Sequence, residues 1–283
     1  MQHYLERGRN VRRAGVVRKG DYLLVILVAT VFAVLLKAFV VDAVVIPSHS
    51  MERTLLVGDY VLVNKLVRGL PSSEEHGVLH AEPPLIHPPV TRSIEPGDVV
   101  VFDLPSNEGS DLSEKPVWFV KRCIARAGDR VMMMNGIAYI NDVEVASEHL
   151  FGSASQHNTV LDKFGPVIVP KAGQTIALTE ENYGQWESFI RREGHTIRNL
   201  PSSGILIDDK QAKSYRVEKN YLFVLGDNRE HSLDSRSWGF LPEENVIGKA
   251  TMIYWSIDQS LPIHSFADFF SRIRWNRIGK LVQ

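Results

Sequence analysis

The sequence predicts a mainly β protein: an antiparallel β-sheet domain with an inserted smaller β subdomain, preceded by one N-terminal transmembrane helix. Three observations predict it. One apolar run near the start is long enough to cross a bilayer. After it, short β-branched and aromatic runs bounded by Gly, Pro or Asp recur along the chain. Residues of about 142–219 are more polar and weakly patterned, which reads as an insertion on the same β framework.

The apolar run is Tyr22–Val41, YLLVILVATVFAVLLKAFVV, with Lys37 as its one charge. At ~1.5 Å per residue it spans the ~30 Å hydrocarbon core. Lys37 lies near its end, where a long side chain snorkels to the interface. Residues 1–20 form a basic tail, with Arg7, Arg9, Arg12, Arg13, Arg18 and Lys19 against one acid, for a charge of +5. The positive-inside rule keeps this tail cytoplasmic and sends the chain after the 21–42 anchor across the membrane. The rival is a cleaved signal peptide, since Val41-Asp42-Ala43 resembles a small-x-small site. A cleavable apolar region is usually shorter, ~7–15 residues.

From residue 43 to 283 the chain reads as one extracytoplasmic unit. Tyr60–Leu66, Val99–Asp103, Val117–Ala125, Tyr221–Leu225 and Lys249–Ile257 read as strands. Val131–Met134 and Ile137–Ile140 flank Asn135-Gly136, a strong hairpin signal. Residues 69–96 are rich in proline and lack periodicity, which predicts a long exposed loop. His76, His80 and His87 fall in it and read as solvated. In residues 265–283, Phe266, Phe269, Phe270, Ile273 and Ile278 recur at helical spacing among four basic groups. That predicts an amphipathic helix, either at the membrane surface or packed on the body.

Composition removes several classes. The chain is 44% hydrophobic, too apolar for disorder. Its one cysteine forbids an intrachain disulfide and a Cys-rich zinc site. The net charge of −1 argues against a nucleic-acid partner. The total conceals basic ends, +5 and +3, around a middle of −9.

Three segments carry chemistry. The first is Ile46-Pro47-Ser48-His49-Ser50-Met51, then Thr54-Leu55 and Gly58-Asp59. The second is Gly97-Asp98-Val99-Val100-Val101-Phe102, then Phe119-Val120-Lys121-Arg122 and Gly128-Asp129. The third is Gly226-Asp227-Asn228-Arg229, then Ser232, Asp234-Ser235-Arg236 and Trp238-Gly239. In this order, behind an anchor with its N-terminus inside, they resemble the boxes of the type I signal peptidases of bacteria. These are membrane-bound serine endopeptidases that remove signal peptides from exported preproteins. RIRWNRIGK near the C-terminus is similar to bacterial members too.

The resemblance implies Ser50 as nucleophile and Lys121 as general base. A serine hydroxyl attacks well only when an adjacent base takes its proton. A lysine, with a pKa of ~10.4 in water, can do so near neutrality only where burial destabilises its charge. Val117, Phe119, Val120 and Ile124 are the apolar neighbours available, and alternation turns Arg122 to the other face. The resemblance assigns the oxyanion to the Ser48 hydroxyl and the Ser50 N–H, and makes Ser232 the serine that orients the base. It pairs Asp234 with Arg236, and Arg122 is a second partner for Asp234. Ile46, Pro47, Met51, Leu55, Val101, Phe119 and Val120 match the substrate cleft, which would take an extended A-x-A-like segment as an added strand beside Phe119–Lys121. The implied partners are secretory preproteins and the lipid bilayer of a bacterial plasma (inner) membrane. No cofactor and no metal is implied.

Two positions depart from the pattern. His49 stands where the family often has Gly, and its ring should point away from the Ser50 hydroxyl on an extended chain. Arg53 stands where Pro is common. Cys123 should share the face of Lys121 and pack as a free thiol. Two other readings stay open: a Ser–Lys self-cleaving protein of the related repressor and mutator class, and a non-catalytic membrane-anchored β-rich binding protein.

Overall fold

The computed structural model describes residues 19–67, 93–103, 118–134, 137–145, 163–201, 204–260 and 266–283. The expected basic tail up to residue 18, the Asn135-Gly136 turn, Val117, and most of the Pro-rich loop with its three histidines lie outside the described residues.

The chain enters through helix α1 (Lys19–Phe39). Its side chains from Tyr22 to Lys37 are exposed on every side, and Phe39 at its end is part-buried. That stretch is shorter than a full crossing, and among the described residues no helix is long and apolar enough to cross a membrane. After Val40 the chain passes directly into strand β1 (Val41–Val45), which pairs antiparallel with β2 (Asp59–Asn64).

The main sheet holds seven strands in the order β1-β2-β16-β3-β4-β14-β15, every neighbouring pair antiparallel. Its remaining members are β3 (Val99–Asp103), β4 (Trp118–Arg126), β14 (Tyr221–Leu225), β15 (Leu241–Pro242) and the long β16 (Val246–Ser256). β2 alternates buried and part-buried positions, as a strand with one core face should. β14 is buried throughout, which explains its unbroken apolar run. One face buries Val44, Ile46, Met51, Leu55, Val61, Val63, Val99, Val101 and Val120. The other buries Val100, Phe102, Cys123, Leu222, Val224 and Val246.

Between β4 and β14 lies the smaller part. It contains β5 (Arg130–Met134), β6 (Ile137–Ile140), β7 (Val143–Glu144) and β8 (Phe164–Ile168) as one sheet. β9 (Thr175–Ala177) pairs with β13 (Ser214–Arg216), and β10 (Ile197–Leu200), β11 (Gly204–Ile207) and β12 (Lys210–Gln211) form a third sheet. Helix α2 (Tyr183–Arg192) packs Phe189 and Ile190 into their core. The small sheets thus begin at Arg130, ahead of the expected 142. The hairpin β5–β6 belongs to them because Val131 and Met133 face their core. That core includes Ile124, Tyr221, Phe223 and Leu225 of the main sheet, so the two parts share apolar contacts. Within it the Glu193 carboxylate accepts from the hydroxyls of Tyr215 (2.5 Å) and Tyr221 (2.8 Å).

The expected amphipathic helix over 265–283 is not formed. A short helix α4 (Phe266–Ser271) is followed by a 3₁₀ turn (Trp275–Arg277), and the tail docks on the body. Ile273 bridges Ile257, Leu281 bridges Met252, and Val282 enters the buried cluster of Val44 and Ile46. The cause is polar as much as apolar. Arg277 donates from Nε to Asp59 Oδ1 (3.0 Å) and from Nη2 to Asp59 Oδ2 (2.6 Å), while Ser256 Oγ donates to the same carboxylate (2.7 Å). Asp59 is fully buried, and a buried carboxylate requires a fixed cation. The spacing of the tail residues signalled a helix, whereas this ion pair pulls them flat against the sheet.

Arg277→Ala removes the guanidinium that hydrogen-bonds both oxygens of that carboxylate and leaves, among the described residues, only Arg274, whose Nη1 lies 4.0 Å from Asp59 Oδ1. The expected loss is about 3–5 kcal/mol of stability, read from urea unfolding of the purified chain in detergent. A loss below ~1 kcal/mol would show that the docked tail does not hold the fold.

Candidate active site

Ser50 follows β1 on a 3₁₀ turn, His49–Met51, with Ser48 in extended conformation before it. The turn closes through Glu52 N–H to His49 O (3.1 Å) and Leu55 N–H to Met51 O (2.7 Å). The loop after β14 grips it. Asn228 donates from its backbone N–H to Ser50 O (3.0 Å) and from Nδ2 to His49 O (3.1 Å).

Lys121 comes from the middle of β4, and its Nζ lies 2.6 Å from Ser50 Oγ in a hydrogen bond. The lysine is 4% exposed. Burial lowers its pKa from 10.5 to about 8, against the opposing pull of the Asp234 and Asp227 charges. Ser48 Oγ lies 3.3 Å from Ser50 Oγ, within hydrogen-bond reach of the reacting atom. The Ser50 N–H belongs to the first turn of its 3₁₀ segment, where amides have no partner inside the helix.

The supporting charges sort differently from expectation. Arg122 does not pair with Asp234. Its Nε donates to Asp227 Oδ1 (2.8 Å) and its Nη2 to Asp227 Oδ2 (2.7 Å). It also reaches Gly97 O (2.7 Å), Thr54 Oγ1 (3.0 Å) and the backbone oxygen of Gln283 (3.1 Å). Asp234 is occupied by Arg236, whose Nε and Nη2 donate to it at 2.8 and 2.9 Å. Asp234 also caps the short helix α3 (Ser235–Trp238). A carboxylate already used as a cap and held by the arginine two residues on has no need of Arg122, which turns to the other acid.

Ser232 is buried beside the site, but its hydroxyl makes no hydrogen bond among the described residues, so the expected bond to Lys121 is not formed. The hydroxyl sits over Gly226 instead. A Cβ on Gly226 would lie 2.2 Å from Ser232 Oγ and 2.7 Å from Ser50 O. Only glycine lets these two segments close on each other.

Ile46, Met51, Leu55, Val101 and Val120 gather in one buried cluster next to the Ser50 turn. Phe119 does not join them. It packs against the opposite cluster, stacked on Phe102 at 6.0 Å. Pro47 is exposed. The His49 side chain is 68% exposed and faces Glu52 at 3.5 Å, away from the Ser50 hydroxyl. The ring does turn away, though on a 3₁₀ turn and not an extended chain. Cys123 is fully buried, and burial pushes its thiol well above the ordinary range, so it stays protonated. Asp227, Thr54 and Gly226 stand in the three segments singled out from the sequence, but no role was assigned to them there. The signal for Asp227 was available: a buried arginine needs a carboxylate, and Asp234 already had Arg236 at close spacing.

A buried serine hydroxyl in contact with a desolvated amine, carried on an antiparallel β framework, is the equipment of a hydrolase that works through a serine. A family profile described as "Signal peptidase, peptidase S26" matches residues 19–255, and the chain belongs to this family of serine peptidases, which removes signal peptides. Signal peptidase I of Aquifex aeolicus (strain VF5) is 33% identical over 262 residues, covering 83% of this chain and 82% of that protein. Signal peptidase I of Pseudomonas fluorescens is 30% identical over 250 residues, covering 84% of this chain and 72% of that one. A solved signal peptidase I from Enterococcus faecalis V583 is 22% identical, with a TM-score of 0.29 over 56% of this chain and 96% of that one, a likeness too slight to carry weight.

Gly226→Ala forces the Ser232 segment off the Ser50 turn. A displacement near 1 Å at reacting atoms costs about 10²-fold, so kcat should fall by roughly that factor while the circular-dichroism spectrum is kept. Wild-type kcat in Gly226→Ala would refute this close approach.

Proposed function

We propose that the chain is a membrane-anchored serine endopeptidase that cuts exported preproteins after an A-x-A-like site, with Ser50 as nucleophile and Lys121 as general base. The observation that carries the reading is the 2.6 Å contact between Ser50 Oγ and a buried lysine whose pKa is lowered to about 8. In the neutral form, Lys121 Nζ takes the Ser50 proton as Oγ attacks the scissile carbonyl carbon. The oxyanion that forms is received by the Ser48 hydroxyl and the Ser50 N–H. The C–N bond then breaks, and the lysine ammonium gives its proton to the leaving amine, which becomes the mature N-terminus. Water, deprotonated by the same lysine, hydrolyses the Ser50 ester and frees the signal peptide.

Substrate selection is read from the cluster beside the turn. Ile46, Met51, Leu55, Val101 and Val120 are packed against one another in one buried cluster, and on this reading the −1 and −3 residues meet a shallow surface over it. One methylene is worth only ~1–3 kcal/mol in an open apolar pocket, and steric exclusion does the rest at −1 and −3. β4 has room for the substrate backbone. Trp118–Lys121 pair with β3 on one side, while β14 takes the other side only from Arg122 onward. That leaves an open edge for an added strand.

The anchor on this reading is α1, whose 21 residues span the hydrocarbon core at ~1.5 Å per residue. The basic tail then stays cytoplasmic and Val41 onward lies outside, at the bacterial plasma membrane.

Ser50→Ala and Lys121→Ala should each abolish cleavage of a preprotein with the fold intact. The double variant should lose little more, because the pair acts as a unit. Near-normal turnover in Lys121→Ala would remove the lysine from the chemistry.

The pH dependence has a definite sign. The free enzyme is active with Lys121 neutral, so kcat/KM should rise with pH along a limb centred near 8. Folding follows the same proton. Between about 8 and 10.5 the unfolded chain holds the proton that the folded chain has lost, so stability rises with pH across that window. A limb centred near 10.5 would mean the amine is not desolvated during catalysis.

Orientation is tested by labelling. Glu144 is exposed, and Cys123 is buried. A Glu144→Cys variant should react with a membrane-impermeant maleimide in intact spheroplasts. Reaction only after lysis would reverse the topology.

A further inference from the structure

The open edge of β4 has an end, and the end is rimmed. β14 leaves β4 at Leu225, opposite Arg122. The chain then turns at Gly226 and crosses the end of the edge as Asp227–Asp234. A strand laid along Trp118–Lys121 therefore runs up against this turn. On the reading above, residues before the scissile bond lie over the pocket of Ile46, Met51 and Val120, and the bond itself lies at Ser50. The chain after the bond has to leave across the rim.

The rim is built from two segments that hold each other. Asn228 binds the carbonyls of both His49 and Ser50. Its Nδ2 also lies 3.4 Å from Glu52 Oε2, and its Oδ1 lies 3.3 Å from His231 Nδ1. Leu233 projects from the same turn. It is 78% exposed, the most exposed large apolar side chain among the described residues. Its neighbours are both buried: Ser232 under Gly226, and Asp234 locked to Arg236. A single exposed leucine is unremarkable on a surface. This one is held out by two anchored neighbours, and the nearer of them to the site, Ser232, closes on Gly226 against the Ser50 carbonyl.

We propose that Leu233 and His49 form a subsite for the first residues of the mature protein, at +1 and +2. The enzyme then selects its substrate on both sides of the bond. Leu233 supplies an apolar lip that favours an apolar side chain, and the His49–Glu52 pair supplies the polar wall on the nucleophile's own turn. This rests on the proposed path of the −1 and −3 residues along β4.

The test is a preprotein series with alanine at −1 and −3 and Leu, Ala, Asp or Lys at +1 or +2. kcat/KM is measured for wild type, Leu233→Asp and His49→Gly, and each enzyme is read as the ratio between substrates, so that an overall loss cancels. Wild type should prefer Leu over Asp at +1 or +2. Leu233→Asp should shift the Leu-to-Lys ratio toward Lys by about tenfold, the scale of one apolar contact. His49→Gly should shift the ratio of charged to apolar substrates, while the −1 and −3 ratios stay as in wild type. Should Leu233→Asp lose all turnover, Leu233→Gln carries the same comparison. Ratios at +1 and +2 unchanged in every variant would overturn the subsite, as would a shift confined to −1 and −3. Failure of the dyad reading looks different: it appears as turnover in Ser50→Ala, whatever the ratios do.

Discussion

The structure depends on keeping one amine dry. Lowering Lys121 from 10.5 to about 8 corresponds to roughly 3 kcal/mol of destabilised charge. Two carboxylates, Asp234 and Asp227, pull the other way by favouring the ammonium. Left unpaired near a buried lysine, they would keep it protonated. Each is instead closed off by its own arginine, Asp227 by Arg122 and Asp234 by Arg236. The corrected partner of Arg122 therefore bears on the chemistry. The two ion pairs offset the two acids, and desolvation is left to decide the state of the lysine.

The same pairs explain how segments far apart in the chain meet. Arg122 on β4 binds Asp227 after β14, Thr54 after the Ser50 turn and the backbone of Gln283. A fully buried guanidinium with several donors must find an acceptor for each, or the burial is prohibitive. Satisfying it fixes the Ser50 turn, the Lys121 strand and the loop around Ser232 in one arrangement. The departure of β14 at Leu225 then has two results. It bares the edge of β4 beside Lys121, and it sends Gly226–Asp234 across the end of that edge.

Much of this was legible in the sequence. β3, β4 and β14 appeared as short apolar runs within a residue or two of their observed bounds, because each is buried on both faces. Ser50 and Lys121 stood out as a pair through the order of three segments, which no single segment would have supplied. What stayed hidden depends on long-range pairing. The tail reads as an amphipathic helix because Phe266, Phe269, Phe270, Ile273 and Ile278 keep helical spacing, yet Asp59, more than two hundred residues earlier, takes Arg277. β1 went unread because Val41 closes the apolar run before it and Asp42 breaks the remaining short stretch. Phe119 looked like a cleft residue by position, and only the stacking against Phe102 shows which face it serves.

The site is also tied to the start of the chain. Only Val40 separates α1 from β1, and β1 delivers Val44 and then Ile46 into the cluster that flanks the Ser50 turn. Val282 of the docked tail closes the same cluster. A fully extended chain from Phe39 to Ser50 covers at most ~40 Å, and β1 is paired and held, so the reach is shorter. On the proposed topology, the nucleophile is thus confined to a shell just outside the bilayer. A preprotein whose apolar segment spans that bilayer presents its −1 and −3 residues at the same height. Proximity of this kind converts an encounter in three dimensions into one within a plane, and well-oriented neighbours gain effective concentrations far above those in solution. Shallow side-chain pockets then suffice, because the membrane has already chosen which peptide bonds arrive.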